Sequence, residues 1–245
     1  MQQFDGQILD SQILDEQIAY YRARASEYDE WFMRQGRYDH GEAHTRQWFA
    51  EVEEIRQALA LFNPTGGVLE IASGTGWWTE QLVRYADTVV AVDAAMETIE
   101  INKQRLHAAQ VPAEKVEFIH TNIFDWNQDH AADGQFDAAF FSFWLSHVPP
   151  DRFDEFWALV RRSLKPNGRV FVIDSLYNQG STANDQYLPE RENPIMQRRL
   201  NDGRTFDIVK VFYRLEQLME RLQALGWTAE LKQTDNHFFY GVVRL

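Results

Sequence analysis

Over residues 13–62 apolar side chains recur every three or four positions: Ile18, Tyr21, Tyr28, Trp31 and Phe32, then Trp48, Val52, Ile55 and Leu59. That period collects them on one side of a helix, so helices are predicted there. The period then changes. "GGVLEIA", "DTVVAVD", "KVEFIH", "FDAAFFSF" and "GRVFVID" are short β-rich runs, each followed by a turn signal or a helical stretch. Near-continuous apolar strands alternating with helices predict a parallel sheet covered on both faces. Helices are predicted to begin near Trp78, Met96 and Asp151. The last opens on prolines and acids and closes on basic residues and glycine, as the helix dipole and C-cap prefer. A further helix is predicted over about residues 213–225, ending at Gly226. Two strands then follow, "WTAELKQ" and "HFFYGVV", joined by Thr234-Asp235-Asn236 as a hairpin. One of this antiparallel pair must run against an otherwise parallel sheet. Residues 176–205 are polar and broken by two prolines, which predicts an excursion over the carboxyl edge of the sheet, where specificity is often carried.

No repeat or low-complexity linker interrupts the 245 residues, which predicts one domain. Its segments are a helical lid segment (1–62), a cofactor-binding half (63–175), a substrate-side excursion (176–205), and a final helix and hairpin (206–245). A hydrophobic content of 44% supplies a core. A net charge of −13 disfavours nucleic acid and anionic membranes as partners and leaves a small molecule. The absence of cysteine excludes disulfides and thiolate metal sites. The first fifteen residues carry three acids and no apolar run, so neither a signal peptide nor a membrane span is expected and the cytoplasm is the expected compartment.

The first strand leads into Ala72-Ser73-Gly74-Thr75-Gly76, a turn whose amides suit a nucleotide at the carboxyl edge of the sheet. A GxGxxG dinucleotide fingerprint would need a third glycine where Thr79 stands, which counts against a nicotinamide cofactor. Asp93 ends the second strand at the right distance to accept hydrogen bonds from a ribose diol in either nucleotide class.

With Glu70 in the strand, Gly74-Thr75-Gly76 after it, Asp93, Asn122 and the late Leu164-Lys165-Pro166-Asn167-Gly168 turn, the chain after Gly66 resembles the class I S-adenosylmethionine-dependent methyltransferases. The resemblance implies an α/β, Rossmann-like, doubly wound and mostly parallel seven-stranded sheet with a reversed last strand, preceded by a helical segment. It implies S-adenosylmethionine as cofactor, with Asp93 on the ribose, Ala94 and Met96 flanking the adenine, and Asn122 at the adenine edge. Tyr21, Glu70, Ala72, Ser73, Gly74, Thr75, Gly76, Trp78, Ile123 and Phe141 complete the implied cofactor site, although Trp77 and Trp78 read equally well as packing residues. Asn167 replaces a family glycine, and asparagine tolerates the positive φ expected there.

"YYRARASEYDEWF" (20–32), "LEIASGTGWWT" (69–79), "FFSFWLSHVPPDRFDEFW" (140–157) and "RRLNDGRTFDIVKVF" (198–212) further resemble the small bacterial methyltransferases that include the phosphonate O-methyltransferase of dehydrophos biosynthesis. In those enzymes the tyrosine-rich helix closes over the cofactor and late basic residues face the anionic acceptor. By position this implies Arg198 and Lys210, with Arg204 as a third candidate, Tyr38 as the substrate tyrosine and Trp144 beside the acceptor.

Charge supports an anionic acceptor independently: residues 190–214 hold six basic residues against four acids in an acidic chain. Arginine binds phosphonate, phosphate or carboxylate through paired N–H donors; the other reading of this island is a solvated helix face. An oxyanion needs no base. Were the acceptor a phenol or amine, His147 in "FWLSHVPP" is the candidate base, its other reading being a structural histidine bonded to a loop carbonyl. His40 and His44 in "HGEAH" lack the HExxH arrangement, so no metal is expected. A non-catalytic cofactor-binding scaffold is the remaining alternative.

Overall fold

The apolar runs form strands β1 (Gly67–Ile71), β2 (Thr88–Asp93), β3 (Val116–His120), β4 (Phe136–Ser142) and β5 (Leu164–Ser175), all parallel, in a computed structural model that describes residues 11–126 and 134–245. Strands β8 (Thr228–Gln233) and β9 (Phe238–Arg244) complete a seven-stranded sheet in the order β3-β2-β1-β4-β5-β9-β8. β9 is the reversed strand, antiparallel to β5 on one side and to β8 on the other. The chain direction across the sheet switches between β1 and β4. The connections leaving those two strands therefore diverge and open a crevice at the carboxyl edge.

Burial on both faces explains the unbroken apolar strands. On β4, Ala139 and Phe141 enter one layer with Phe153, Phe156 and Trp157, while Ala138 and Phe140 enter the opposite layer with Trp48 and Phe171. The helices are α1 (Ser11–Arg24), α2 (Tyr28–Met33), α3 (Glu42–Phe62), α4 (Thr79–Leu82), α5 (Met96–Ala108), α6 (Phe153–Ser163) and α7 (Leu215–Ala224). Helices α6 and α7 cover the first layer through Val160, Leu218 and Leu222, and α3 covers the second through Trp48, Val52, Ile55 and Leu59. Among the described residues no helix is long and apolar enough to cross a membrane.

Two expectations are corrected. The stretch predicted to be loop, and in the other reading a solvated helix face, contains a hairpin of β6 (Ile195–Arg199) and β7 (Thr205–Val209). Its alternation is weak in sequence because Met196, Phe206 and Ile208, with Leu200 in the turn, reach only a small apolar cluster, and that cluster is completed by Tyr20 of α1. Asn167 does not take a positive φ; the Lys-Pro-Asn-Gly stretch lies within β5, where the pairing with β4 jumps from Phe136↔Leu164 to Ala138↔Arg169. A bulge absorbs the extra residues without left-handed backbone.

Candidate active site

The crevice is bounded by strained backbone. Ala72 after β1 and Phe143 after β4 both have φ of 55°, a left-handed conformation that costs a non-glycine residue about 1–3 kcal/mol and persists where packed strands hold it. Gly74 and Gly76 adopt φ of 55° and 91° between β1 and α4. A side chain on Gly76 would also run into the Asn102 amide, whereas one on Gly74 would project into open space. The loop is tied down from two directions. Asp93 Oδ2 accepts from the Gly74 amide at 2.8 Å, and its Oδ1 accepts from the Ala95 amide at 2.9 Å and Thr98 Oγ1 at 3.1 Å. From α2, Asp29 accepts from Thr75 Oγ1 at 2.6 Å and Trp77 Nε1 at 3.0 Å and pairs with Arg105 of α5 at 2.5 Å.

A cavity of about 850 Å³, partly open to solvent, lies over this loop. Gly74, Asp93, Ala94 and Asn122 form its polar wall, Val92, Ile123 and Phe124 its apolar one, and Leu14, Gln17, Ile18 and Tyr21 of α1 its cover. A narrower cleft continues from it along Ser73, Thr75, Gly76, Trp77 and Trp78. Ser73 Oγ and Trp144 Nε1 are buried here without a hydrogen-bond partner, as is Glu70 Oε2 behind the glycine loop. Burial pushes the Glu70 carboxyl up to about 8, so it is mostly protonated at neutral pH. Unpartnered polar atoms beside a partly apolar cavity at the sheet edge fit a nucleoside with a polar tail.

A second cavity, of about 480 Å³, adjoins the first. Tyr21, Tyr28, Phe143 and His147 line both and so form the boundary between them. The second cavity is cationic: Arg24, Arg198 and Lys210 line it, and no carboxylate does. Arg24 is buried under the rings of Tyr20, Tyr28 and Tyr38, with a hydrogen bond of 3.4 Å to the Tyr38 hydroxyl. Arg198 donates to Thr182 Oγ1 at 3.0 Å, and its Nε is buried without a partner. Lys210 Nζ donates to Ser146 Oγ at 2.8 Å and lies 3.5 Å from Asp174, whose carboxylate is also taken up by Ser146 and the Ser175 amide. Burial, opposed by Asp174 and reinforced by Arg198, brings Lys210 down to about 8.

His147 is buried between the two, with Nδ1 2.6 Å from the Val209 carbonyl and Nε2 2.8 Å from the Tyr21 hydroxyl. A carbonyl only accepts, so Nδ1 carries the proton and Nε2 accepts from Tyr21. Burial first, and Lys210 second, hold the imidazole well below its ordinary pKa.

A methyltransferase-domain family profile matches residues 68–168, the stretch holding the glycine loop and Asp93. The solved complex of DhpI with SAM and HEP is 36% identical, covers 95% of this chain and 98% of its own, and superposes with a TM-score of 0.74. The chain belongs to the class I S-adenosylmethionine-dependent methyltransferases. S-Adenosylmethionine is its cofactor, in keeping with a second DhpI structure solved with SAH, at the same identity and TM-score. The demethylmenaquinone methyltransferase of Clavibacter sepedonicus is 33% identical over 109 residues, and an uncharacterised methyltransferase of Schizosaccharomyces pombe 26% identical over 125. Those alignments span 40% and 43% of the two relatives' own lengths. The Burkholderia thailandensis 1,6-didemethyltoxoflavin N1-methyltransferase, 17% identical with a TM-score of 0.61 over 96% of this chain and 89% of its own, shares the fold.

In this methyltransferase Tyr21, Ala72, Gly74, Asp93, Ala94, Asn122 and Ile123 meet around the larger cavity, with Ser73, Thr75, Gly76 and Trp78 along the cleft. Asn122 Oδ1 already accepts from the Phe124 amide, which leaves its NH2 and one lone pair for a ligand. Other expectations are corrected. Glu70 sits behind the glycine loop rather than on a cavity wall. Met96 opens α5 with its side chain 40% exposed, and Ala95 takes its place on the wall. Phe141 points away, onto Phe156 and Trp157, because strand neighbours face opposite sides and Ser142 and Phe143 follow it. Trp144 lines the larger cavity, not the cationic one. Tyr38 is buried beneath Arg24, outside both walls, and Arg204 is exposed in the hairpin turn, paired with Asp202 at 2.8 Å. Sequence reading missed Arg24, Tyr28, Phe143 and Thr182. Arg24 had a signal: it falls one turn beyond Tyr20 and Tyr21, a charge on the aromatic face of α1.

Proposed function

We propose that this methyltransferase methylates an oxygen of a small anionic acceptor, a phosphonate, phosphate or carboxylate, seated in the cationic cavity. The observation that carries the reading is the convergence of Arg24, Arg198 and Lys210 on a cavity whose lining has no carboxylate, inside a chain of net charge −13. Arg24 is buried and Arg198 half-buried without a carboxylate partner, while Lys210 keeps Asp174; desolvated guanidinium groups of this kind are costly, and a bound anion offsets that cost. The resemblance to methyltransferases that include a phosphonate O-methyltransferase supports the same reading, as does the similarity to DhpI, solved as a complex with SAM and HEP.

Bound S-adenosylmethionine supplies a methyl group made electrophilic by its sulfonium. The residues of this chain then have three tasks. Gly74, Asp93 and Asn122 hold the nucleoside against the sheet edge. Arg24, Arg198 and Lys210 hold the acceptor oxyanion on the far side of the Tyr21–His147 boundary, which fixes the direction of approach. Helix α1, through Gln17, Ile18 and Tyr21, keeps water from the junction. An oxyanion is already deprotonated, so no proton need be removed. His147 is poorly suited to be a base for a phenol or amine, because its Nε2 is already satisfied by Tyr21.

Phosphonates, carboxylates, phenols and amines offered with S-adenosylmethionine, with products read by mass spectrometry, test the reading. Methylation of an oxyanion class is expected. Arg198→Ala should raise the acceptor KM by about 10- to 100-fold, the worth of a charge-assisted hydrogen bond, with cofactor affinity near wild type. Turnover confined to phenols or amines, unaffected by Arg198→Ala, would overturn it.

A further inference from the structure

A cavity that holds an anion must keep out backbone carbonyls as well as carboxylates, because a carbonyl oxygen also carries negative charge. Ser181 and Thr182, in the excursion after β5, form one wall of the cationic cavity. The three consecutive carbonyls of residues 180–182 are all taken up by side chains of one distant stretch. Arg34 Nη2 donates to the Gly180 carbonyl at 2.7 Å, Trp31 Nε1 to that of Ser181 at 2.8 Å, and His40 Nε2 to that of Thr182 at 2.9 Å. Neither Arg34 nor His40 lines either cavity, so the Gly180 and Thr182 oxygens are drawn away from the acceptor side. What Thr182 turns inward is its hydroxyl, which receives Arg198 at 3.0 Å. The donors lie at the end of α2 and in the connection to α3, and that connection is fastened to the excursion again further on. Arg37 pairs with Asp185 at 2.8 Å and donates to the Arg199 carbonyl at 2.7 Å, while Asn184 binds the backbone of Arg37 and Asp39. Arg34 is buried against Trp48 and forms no ion pair among the described residues. Burial brings it down only to about 10, so at neutral pH its charge also stands behind the wall.

We propose that His40 and Arg34 are positioning residues that set the acceptor specificity: from outside the cavity they hold the Thr182 and Gly180 carbonyls turned away from it, so that its wall admits an anion. The proposal rests on the cationic cavity being the acceptor's. Both residues act through the backbone of residues 180–182 and never meet the acceptor. In a poorly solvated cavity an inward carbonyl dipole would oppose the attraction of Arg24, Arg198 and Lys210 for an anion. A buried carbonyl that loses its donor is also costly and turns toward a new one. For Thr182 the new donors are the cations of the cavity, which the carbonyl then takes in competition with the acceptor.

The test compares methylphosphonate with its uncharged dimethyl ester as probes of the cavity, in enzyme saturated with S-adenosylhomocysteine so that no transfer occurs. Calorimetry reads both affinities, and binding of S-adenosylhomocysteine shows that each variant is folded. The wild type should prefer the anion. His40→Leu removes the donor to Thr182 and should weaken methylphosphonate about three- to tenfold, the worth of one hydrogen bond, with the ester unchanged. His40→Gln returns an N–H at the same reach and should bind methylphosphonate within about twofold of the wild type. Arg34→Met removes a donor and a charge and should weaken methylphosphonate at least as much as His40→Leu; the His40 pair alone decides if that variant does not fold. Anion affinity kept in His40→Leu or in folded Arg34→Met, an equal loss of the ester, or His40→Gln no better than His40→Leu would overturn the proposal and leave the anionic acceptor standing. A wild type that binds the ester as well as the anion would overturn both.

Discussion

Lys210 shows how much of this site is set by one residue's surroundings. Its ammonium is buried beside Asp174 with Arg198 and Arg24 also facing it, and burial, the largest influence, brings it down to about 8 from an ordinary 10.5. Below that pH it is charged and holds an anion; above it the charge is lost. The acceptor kcat/KM, which reports the free enzyme, is therefore expected to fall as pH rises through about 8. In Lys210→Arg the guanidinium stays charged, so the alkaline fall should vanish. A pH profile that is the same in both proteins would show that Lys210 does not set the alkaline limb.

At the scale of elements, helix α1 is coupled to the β6–β7 hairpin by side chains that complete the strand's open edge. Gln17 accepts from the Val209 amide at 3.0 Å and donates to the His147 carbonyl at 3.3 Å, while Glu16 accepts from the Asp207 amide at 2.7 Å. Arg22 pairs with Glu97 of α5 at 3.1 Å on the surface, where such a bridge contributes little. We read α1 as a lid whose closed position is set by Gln17. Gln17→Ala should then cost about 1 kcal/mol for each lost hydrogen bond in lid closure and leave the buried Val209 amide unpaired. Hydrogen exchange over residues 15–24 should quicken and the acceptor KM should rise. Unchanged exchange in this variant would mean that α1 is held by its apolar contacts instead.

On the scale of the whole molecule, Glu51 of α3 joins the amino-terminal helices to the terminal hairpin. It accepts from the His237 amide at 2.8 Å, from Asn236 at 3.1 Å and from Thr234, while Gln47 donates to it from its own helix at 2.9 Å. Burial pushes its carboxyl up, but these hydrogen bonds outweigh burial and leave it below its ordinary value. A carboxylate depressed in the folded state gives stability that is present above its unfolded pKa and lost as pH falls through the folded one. His237 acts in the same sense from higher pH. Burial lowers it to about 4, so between 6.5 and 4 the unfolded chain takes up a proton that the folded chain refuses. Stability should fall by up to about 1.4 kcal/mol per pH unit for this one histidine across that window, with His147 adding to it. Thermal unfolding from pH 7 to 4 should show a dropping midpoint, less steep in His237→Gln. A flat midpoint would contradict the depressed histidines.

Much was legible without coordinates because it is local. The five strands follow from apolar runs such as "FDAAFFS", which bury on both faces wherever they sit, and the short connection between β8 and β9 makes that pair antiparallel, so that one of the two must run against the sheet. Gly74-Thr75-Gly76 and Asp93 end consecutive strands, so parallel topology alone brings them to one edge. The misreadings are those that a local pattern cannot decide. Whether Phe141 or Phe143 meets the cavity depends on the pleat and on the left-handed turn that ends β4. The β6–β7 hairpin becomes a hairpin because Tyr20 and Gln17 of a distant helix supply its apolar and polar partners. Arg24, Arg198 and Lys210 are spread over most of the chain, and no spacing in the sequence says that they meet. Sequence determined the cofactor edge, since backbone hydrogen bonding and strand order suffice to build it. Tertiary packing alone decided the cationic cavity and the direction of the Tyr21 proton, because both arise from side chains that only the folded chain brings within hydrogen-bond reach.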